Sequence, residues 1–230
     1  MHYIFCSSRR GHEKSSESAH NHLRQGGVYV FVLFLAIAAV IACLPHDAAA
    51  AWTKRVIDGG YIEDPSISVD SNGHVHMSMV KGGRLFYINN STGKMVKRAL
   101  DNSGNVDWYT SIAVDNGGKV HIAYCDRTHA SLKYVTNASG SWVKTTVDNS
   151  ANIGWYNSIA IDSGGKVHIS YYVYTTLRYA TNAIGAWMTG TVDNSGMVGF
   201  FTSIALDSSG KVLISYYDVT NSALKYATGP

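Results

Sequence analysis

The chain has 230 residues, 46% of them hydrophobic and only 15% charged, with a formal net charge of +3. That length suits one domain with a sizeable core, and no linker marks off a second. Basic residues are scattered, with no run to follow a phosphate backbone, so nucleic acid is not an expected partner.

Residues 1–27 are polar and irregular, with Arg9, Arg10, Lys14 and Arg24 set against Glu13 and Glu17. An unbroken apolar run, Val28 to Leu44, follows, then Pro45-His46-Asp47 and the small residues Ala48 to Ala51. A positive leader, an apolar stretch and an Ala-x-Ala site read as a secretory signal peptide cut after Ala50. Two other readings fit the same residues. Seventeen apolar residues is the lower limit for spanning a bilayer, which would leave an uncleaved transmembrane anchor. Val40-Ile41-Ala42-Cys43 is also similar to a bacterial lipobox, with Cys43 as the lipidated residue. Each places the chain beyond the cytoplasm, secreted or at the cell surface, and each confines membrane contact to residues 1–50. Residues 51–230 then form the exported domain. Only Cys125 of the three cysteines would survive cleavage, so no bridge is expected within the domain.

From residue 52 onward the chain says one thing four times. Trp52-Thr-Lys-Arg-Val-Ile-Asp58, Met95-Val-Lys-Arg-Ala-Leu-Asp101, Trp142-Val-Lys-Thr-Thr-Val-Asp148 and Trp187-Met-Thr-Gly-Thr-Val-Asp193 align, with closing aspartates 43, 47 and 45 residues apart. Within the third repeat, Trp142 to Val147 is β-rich and ends in the turn Asp148-Asn-Ser-Ala151. Trp155 to Ile161 alternates, Ile159 and Ile161 on one face, Ser158 and Ala160 on the other. Asp162-Ser-Gly-Gly165 has the preferences of a type I turn. Lys166 to Tyr172 alternates again, and Leu177-Arg-Tyr-Ala180 supplies a last strand. Four strands joined by tight turns predict one antiparallel sheet per repeat.

The small-residue face recurs as Ser66/Ser68, Ser111/Ala113, Ser158/Ala160 and Ser203/Ala205. Small side chains on one face and branched ones on the other let neighbouring sheets stack around an axis. An all-β fold follows, a β-propeller of four four-stranded blades. The chain ends at Tyr226-Ala-Thr-Gly-Pro230, before another Trp52-type strand is due. Residues 52–57 are therefore expected to complete the fourth sheet and close the ring, with a larger propeller completed by another copy as the alternative.

Pro65-Ser-Ile-Ser-Val-Asp-Ser-Asn-Gly-His-Val-His76 and Ser111-Ile-Ala-Val-Asp-Asn-Gly-Gly-Lys-Val-His-Ile-Ala-Tyr124 resemble bacterial propeller repeats of the sialidase-like, Asp-box type. Asn137-Ala-Ser-Gly-Ser-Trp142 and Asn182-Ala-Ile-Gly-Ala-Trp187 resemble a degenerate Asp-box hairpin that keeps its Gly and Trp but lacks its aspartate. The resemblance covers residues 52–230 and implies the architecture, which lectins, scaffolds and hydrolases share.

The sialidase-like, glycan-cleaving activity that this resemblance also allows would use three arginines, a Tyr nucleophile with a Glu partner, and an Asp. Residues 51–230 hold one Glu, Glu63, and the five arginines 55, 84, 98, 127 and 178, none in such a motif. Asp70, Asp115, Asp162 and Asp207, like Asp58, Asp101, Asp148 and Asp193, recur at equivalent turn positions, which suits residues that hold each repeat together. His76, His121 and His168 share one position that Leu213 fills in the last repeat, so they read as packing residues; no metal or cofactor is expected. Recognition is expected instead from aromatic pairs entering each inner strand: Trp108 and Tyr109 beside Asp107, Trp155 and Tyr156, Phe200 and Phe201. The first repeat departs there, with Ile62-Glu-Asp-Pro65. Rings flanked by hydrogen-bonding groups suit a glycan or an extracellular protein segment. An exported, non-enzymatic binding or scaffold module is the leading expectation, with assembly as a homo-oligomer a third class.

Overall fold

The computed structural model describes residues 52–229 apart from 104, 151 and 152, and the backbone alone at 107, 108 and 153. Among these residues it has fifteen strands and no helix. β1 (Glu63–Val69), β2 (Val75–Lys81), β3 (Arg84–Asn89) and β4 (Val96–Asp101) form the first antiparallel sheet in that order. β5 (Val106–Val114), β6 (Val120–Asp126), β7 (Ser131–Thr136) and β8 (Val143–Asp148) form the second. The third holds β9 (Ile153–Ile161), β10 (Val167–Val173), β11 (Thr176–Thr181) and β12 (Met188–Asp193). The fourth has three strands, β13 (Val198–Leu206), β14 (Val212–Asp218) and β15 (Ala223–Thr228). All fifteen lie in one unit, Lys54–Pro230. This is the expected all-β propeller architecture.

The sequence repeat and the sheet differ in phase. The strand that begins each repeat closes the sheet before it: β8 pairs with β7, Thr136 opposite Val143, rather than with β9. The tight turn at 137–140, closed by Gly140 N–H donating to the Asn137 carbonyl at 2.9 Å, decides this pairing. Loops such as 194–197, between β12 and β13, then connect one blade to the next.

The alternation read from the inner strands holds. Ile112, Ile159 and Ile204 are buried at 6%, 7% and 8% exposure, each in a core shared with the preceding sheet. Their opposite faces carry the serines, which have a more specific task than small size. Ser66, Ser111 and Ser158 Oγ accept from the backbone N–H of Ile112, Ile159 and Ile204 of the next blade, all at 3.2 Å. A larger residue there would both push the blades apart and orphan a buried donor.

The recurring aspartates hold neighbouring blades together. Tyr124, Tyr171 and Tyr216 hydroxyls donate to Asp101, Asp148 and Asp193 of the preceding sheet at 2.6, 2.7 and 2.7 Å. A cation from the later blade joins each pair: Lys144, Arg178 and Lys225 at 2.8, 2.6 and 2.9 Å. Burial works against the charge of Asp101, but hydrogen bonds from Lys144, Ser103 and Tyr124 outweigh it and hold the carboxyl well below its usual range. Asp148 and Asp193 shift the same way, burial again opposed by hydroxyl, amide and cationic partners.

The histidines are structural. His76, His121 and His168 are buried, and Nδ1 of each lies 2.5–2.6 Å from the hydroxyl of Tyr87, Tyr134 or Tyr179. Their other nitrogens face Asp70, Asp115 and Asp162 at 3.3–3.6 Å. Burial pushes His121 below the ordinary histidine value despite Asp115.

Acid stability follows from these directions. The carboxylates titrate lower in the folded chain than their unfolded value of 3.8, so their contribution is complete above pH 4 and lost as pH falls through the folded values. His121 titrates below 6.5 when folded, so its contribution is complete above that pH and also falls with acidification. Thermal melts followed by circular dichroism should show a shallow loss from pH 7 to 5, at most about 1.4 kcal/mol per pH unit for one proton. A steep loss should follow below pH 4. A melting point that rose between pH 5 and 3 would contradict the aspartate locks.

Residues 52–57 do not supply the expected closing strand. They form no strand, and Asp58 instead accepts from Lys81 and Lys97 of the first sheet at 2.9 and 2.6 Å, which together hold its pKa at about 2. Ile67 of the first blade is 65% exposed and Leu224 of the last is 82% exposed, so the two end faces are open. The apolar run at 28–44 lies outside the described residues; among those described, no helix is long and apolar enough to cross a membrane.

Candidate functional site

At the end of the sheets where the inner strands begin, each ladder slips. Register shifts fall between Glu63 and Ser66, between Val106 and Thr110, between Trp155 and Ser158, and between Phe200 and Ser203. One residue in each slip takes a left-handed backbone: Asp64 (φ 39°), Tyr109 (φ 75°), Tyr156 (φ 51°) and Phe201 (φ 51°). Glycine or asparagine is the ordinary occupant of such a position, and a bulky ring there costs about 1–2 kcal/mol. A bulge turns a side chain out of the ladder. Here three successive blades turn out an aromatic ring.

These bulges are tied to one another. Asp64 Oδ2 accepts from Tyr109 N–H, and Thr110 Oγ1 donates to the Asp64 carbonyl at 3.1 Å. Asn157 Nδ2 donates to the Tyr109 carbonyl at 2.6 Å and to that of Gly154 at 2.8 Å. Thr202 Oγ1 donates to Ser170 Oγ at 2.9 Å. The polar residues following each bulge therefore fix the bulges, which answers why Thr110, Asn157 and Thr202 sit beside the rings.

The structure brings five of the expected site residues together. Ring centroids of Tyr109 and Tyr156 are 4.5 Å apart, and Tyr156 lies 4.7 Å from Phe201 and 5.2 Å from Phe200. Trp155 joins through Tyr172, 6.3 Å away, and Tyr172 packs on Phe200 at 4.5 Å. Phe201 is 69% exposed and Trp155 40%, while Tyr172 is buried. Burial, with Tyr156 close by, pushes the Tyr172 hydroxyl above its ordinary value. Part of the cluster is thus core, and part offers flat apolar faces to water. The side chains of Asp107 and Trp108 lie outside the described residues.

The first blade completes the site differently. Tyr61, Ile62, Glu63, Asp64 and Tyr109 line a pocket of about 330 Å³, so Tyr109 belongs both to the ring cluster and to a pocket bearing two acidic side chains. Sequence reasoning noted that this quadrant departs from the others and tied Glu63 only to the glycan-cleaving alternative; it placed neither Tyr61 nor Asp64 in a site. The aspartate at the position of three aromatic residues was the available signal. Among the described residues no group of three His, Cys, Asp or Glu side chains is placed to hold a metal ion.

No protein-family model matches the chain, and no curated protein matches it in sequence. Solved structures match in fold. A protein of unknown function from Dyadobacter fermentans superposes over 73% of this chain and 65% of its own, with 9% identity and a TM-score of 0.56. The Penicillium chrysogenum alpha-L-arabinanase, solved with arabinobiose, matches over 73% of this chain and 62% of its own, with 11% identity and a TM-score of 0.50. The NanB sialidase of Streptococcus pneumoniae is similar at 12% identity and a TM-score of 0.46, over 70% of this chain and 29% of its own. The chain spans somewhat under two thirds of the first two proteins. The first two likenesses bear on the fold alone, a β-propeller, and assign the chain to no particular Asp-box family.

Proposed function

We propose that this protein is an exported, non-enzymatic β-propeller that binds carbohydrate at the aromatic end of its inner strands. One observation carries the reading: three consecutive blades hold Tyr109, Tyr156 and Phe201 in an unfavourable backbone conformation within one ring cluster, which exposes Phe201 and Trp155 beside a pocket bearing Glu63 and Asp64. Strained positions that persist in repeat after repeat point to use. Exposed ring faces stack on the apolar faces of sugars, and carboxylates accept hydrogen bonds from their hydroxyls. Binding fits better than cleavage because Asp101, Asp148 and Asp193 are engaged by tyrosines and cations between blades, and no arginine is among the described residues lining the acidic pocket. Export rests on the leader and its apolar run.

A glycan array tests this, read together with Phe201→Asn. Asparagine tolerates the left-handed backbone, and the exposed ring contributes little packing, so the melting point should hold or rise. Glycan binding should fall tenfold or more for Phe201→Asn and for Trp155→Ala. No glycan bound, or undiminished binding by both variants, would sink the proposal. Turnover of fluorogenic sugars abolished by Glu63→Gln would replace it with an enzyme.

A further inference from the structure

Each boundary between blades within the chain is built alike. The earlier blade presents Leu85, Leu132 or Leu177, each fully buried, followed two residues on by Tyr87, Tyr134 or Tyr179. The later blade presents Ile112, Ile159 or Ile204. At the two ends of the unit the same positions are open. Leu224 and Tyr226 of β15 are 82% and 64% exposed, and Ile67 and Val69 of β1 are 65% and 57% exposed.

A tryptophan marks each complete boundary. Trp142, entering β8, packs on Tyr87 of the blade before at 5.0 Å, and Trp187, entering β12, packs on Tyr134 at 5.1 Å. The third boundary has no such ring among the described residues. Tyr179 instead borders a pocket of about 270 Å³ walled by Val212, Ile214 and Ala227, where the fourth sheet has no outer strand. The chain carries the matching strand elsewhere, Trp52 to Asp58, and Trp52 is 89% exposed. Asp58 already bonds Lys97 of β4, as Asp101 bonds Lys144 of β8.

We propose that residues 52–58 of a second copy of this chain add to β15 as the missing outer strand, seating the second copy's Trp52 against Tyr179 and laying its first blade over Leu224 and Tyr226. The repeat fixes the register. Thr136 faces Val143 and Thr181 faces Met188, each the residue after the tryptophan, so Thr53 pairs with Thr228 and Lys54 with Ala227. Leu132 faces Asp148 and Leu177 faces Asp193, so Asp58 falls opposite Leu224.

The occupant is a second copy rather than the chain's own strand because Asp58 is held on its own first blade, whose outer face is open, as is that of the fourth. Those two blades are not neighbours within one chain, and a second copy fills the boundary without moving any of the four. The interface is head-to-tail, so a closed ring or an extended array follows from its rotation.

Disulfide trapping tests this in the full chain with Cys6→Ser and Cys43→Ser, Cys125 being buried. Thr53→Cys and Thr228→Cys chains are mixed and oxidised. The expected result is a covalent dimer from the mixture and little from either variant alone. A mixture that stays monomeric overturns the proposal, whether or not a chain with both substitutions bridges internally; an internal bridge assigns the slot to the chain's own strand. Sedimentation provides a second reading, with Trp52→Ala expected to weaken association about tenfold or more. Association unchanged by Trp52→Ala would place it at another surface and overturn the proposal too.

Discussion

Asp148→Ala is expected to lower the unfolding free energy by about 3–5 kcal/mol, the range for removing one partner of a buried ionic pair. The carboxylate is the shared acceptor for two groups of the next blade, the fully buried Tyr171 hydroxyl and the Arg178 guanidinium. Without it, the Tyr171 hydroxyl loses its 2.7 Å acceptor inside a blade boundary, while Arg178 keeps Ser150 Oγ at 3.0 Å and Thr189 Oγ1 at 3.1 Å. Arg178 is 21% exposed and can turn partly to water, so the lower end of the range is expected. For a domain of this size that corresponds to a fall in melting temperature of roughly 10 °C. Tyr171→Phe removes one donor and leaves Arg178 in place, so about 1–2 kcal/mol is expected from it. The double variant should cost less than the sum, because the bond between the hydroxyl and the carboxylate can be lost only once. Urea titrations of the four species give the cycle. Additivity would show that the two groups do not act on each other, and the account of the blade lock would fail.

That lock was half legible in the sequence. Asp58, Asp101, Asp148 and Asp193 recur, which marks them as residues of the repeat, but their equivalence says nothing about what they touch. Tyr124, Tyr171 and Tyr216 recur too, 23 residues after each aspartate. Two recurring residues at a constant offset are a candidate contact, yet the offset cannot distinguish a bond within a sheet from one between sheets. The phase of the sheet decides it, and phase depends on which hairpin is tightest. The inner strands were easier to read. Alternation forces Ile159 and Ser158 to opposite faces, and one face of every inner strand must meet a neighbour.

The site was legible in composition and not in geometry. Aromatic pairs at one point of three repeats are visible to inspection. That Tyr109, Tyr156 and Phe201 adopt left-handed backbone is not, because sequence rules place such conformations at glycine, and glycine does fill many of them here. For Tyr109 the constraint comes from the blades on either side, through Asp64 of the one before and Asn157 of the one after, and it is non-local. Ring closure failed to follow from the sequence for a similar reason. The strand at residues 52–57 has the right pattern to finish the fourth sheet, but whether it can reach depends on the angle between blades, which no periodicity encodes.

The same bulge yields the sharpest test of the backbone. Gly199 precedes Phe200 and has a φ of 97°, and a Cβ built there would lie 2.9 Å from the Leu177 Cα and 3.1 Å from its Cβ. Two penalties combine in Gly199→Ala: about 1–2 kcal/mol for an alanine at positive φ, and about 1–3 kcal/mol for forcing atoms into a packed boundary. Leu177 is fully buried and its backbone lies in β11, so it cannot give way by turning a side chain. Gly210 separates the two penalties. Its φ is 85°, but nothing lies within 4 Å of its Cβ direction, so Gly210→Ala should show the backbone cost alone. Chemical denaturation should rank Gly199→Ala well below Gly210→Ala in stability, by at least about 1 kcal/mol. Equal losses would mean that the third and fourth blades are not packed backbone to backbone at this point. The bulge would then lack the rigid support that aims Phe200 and Phe201.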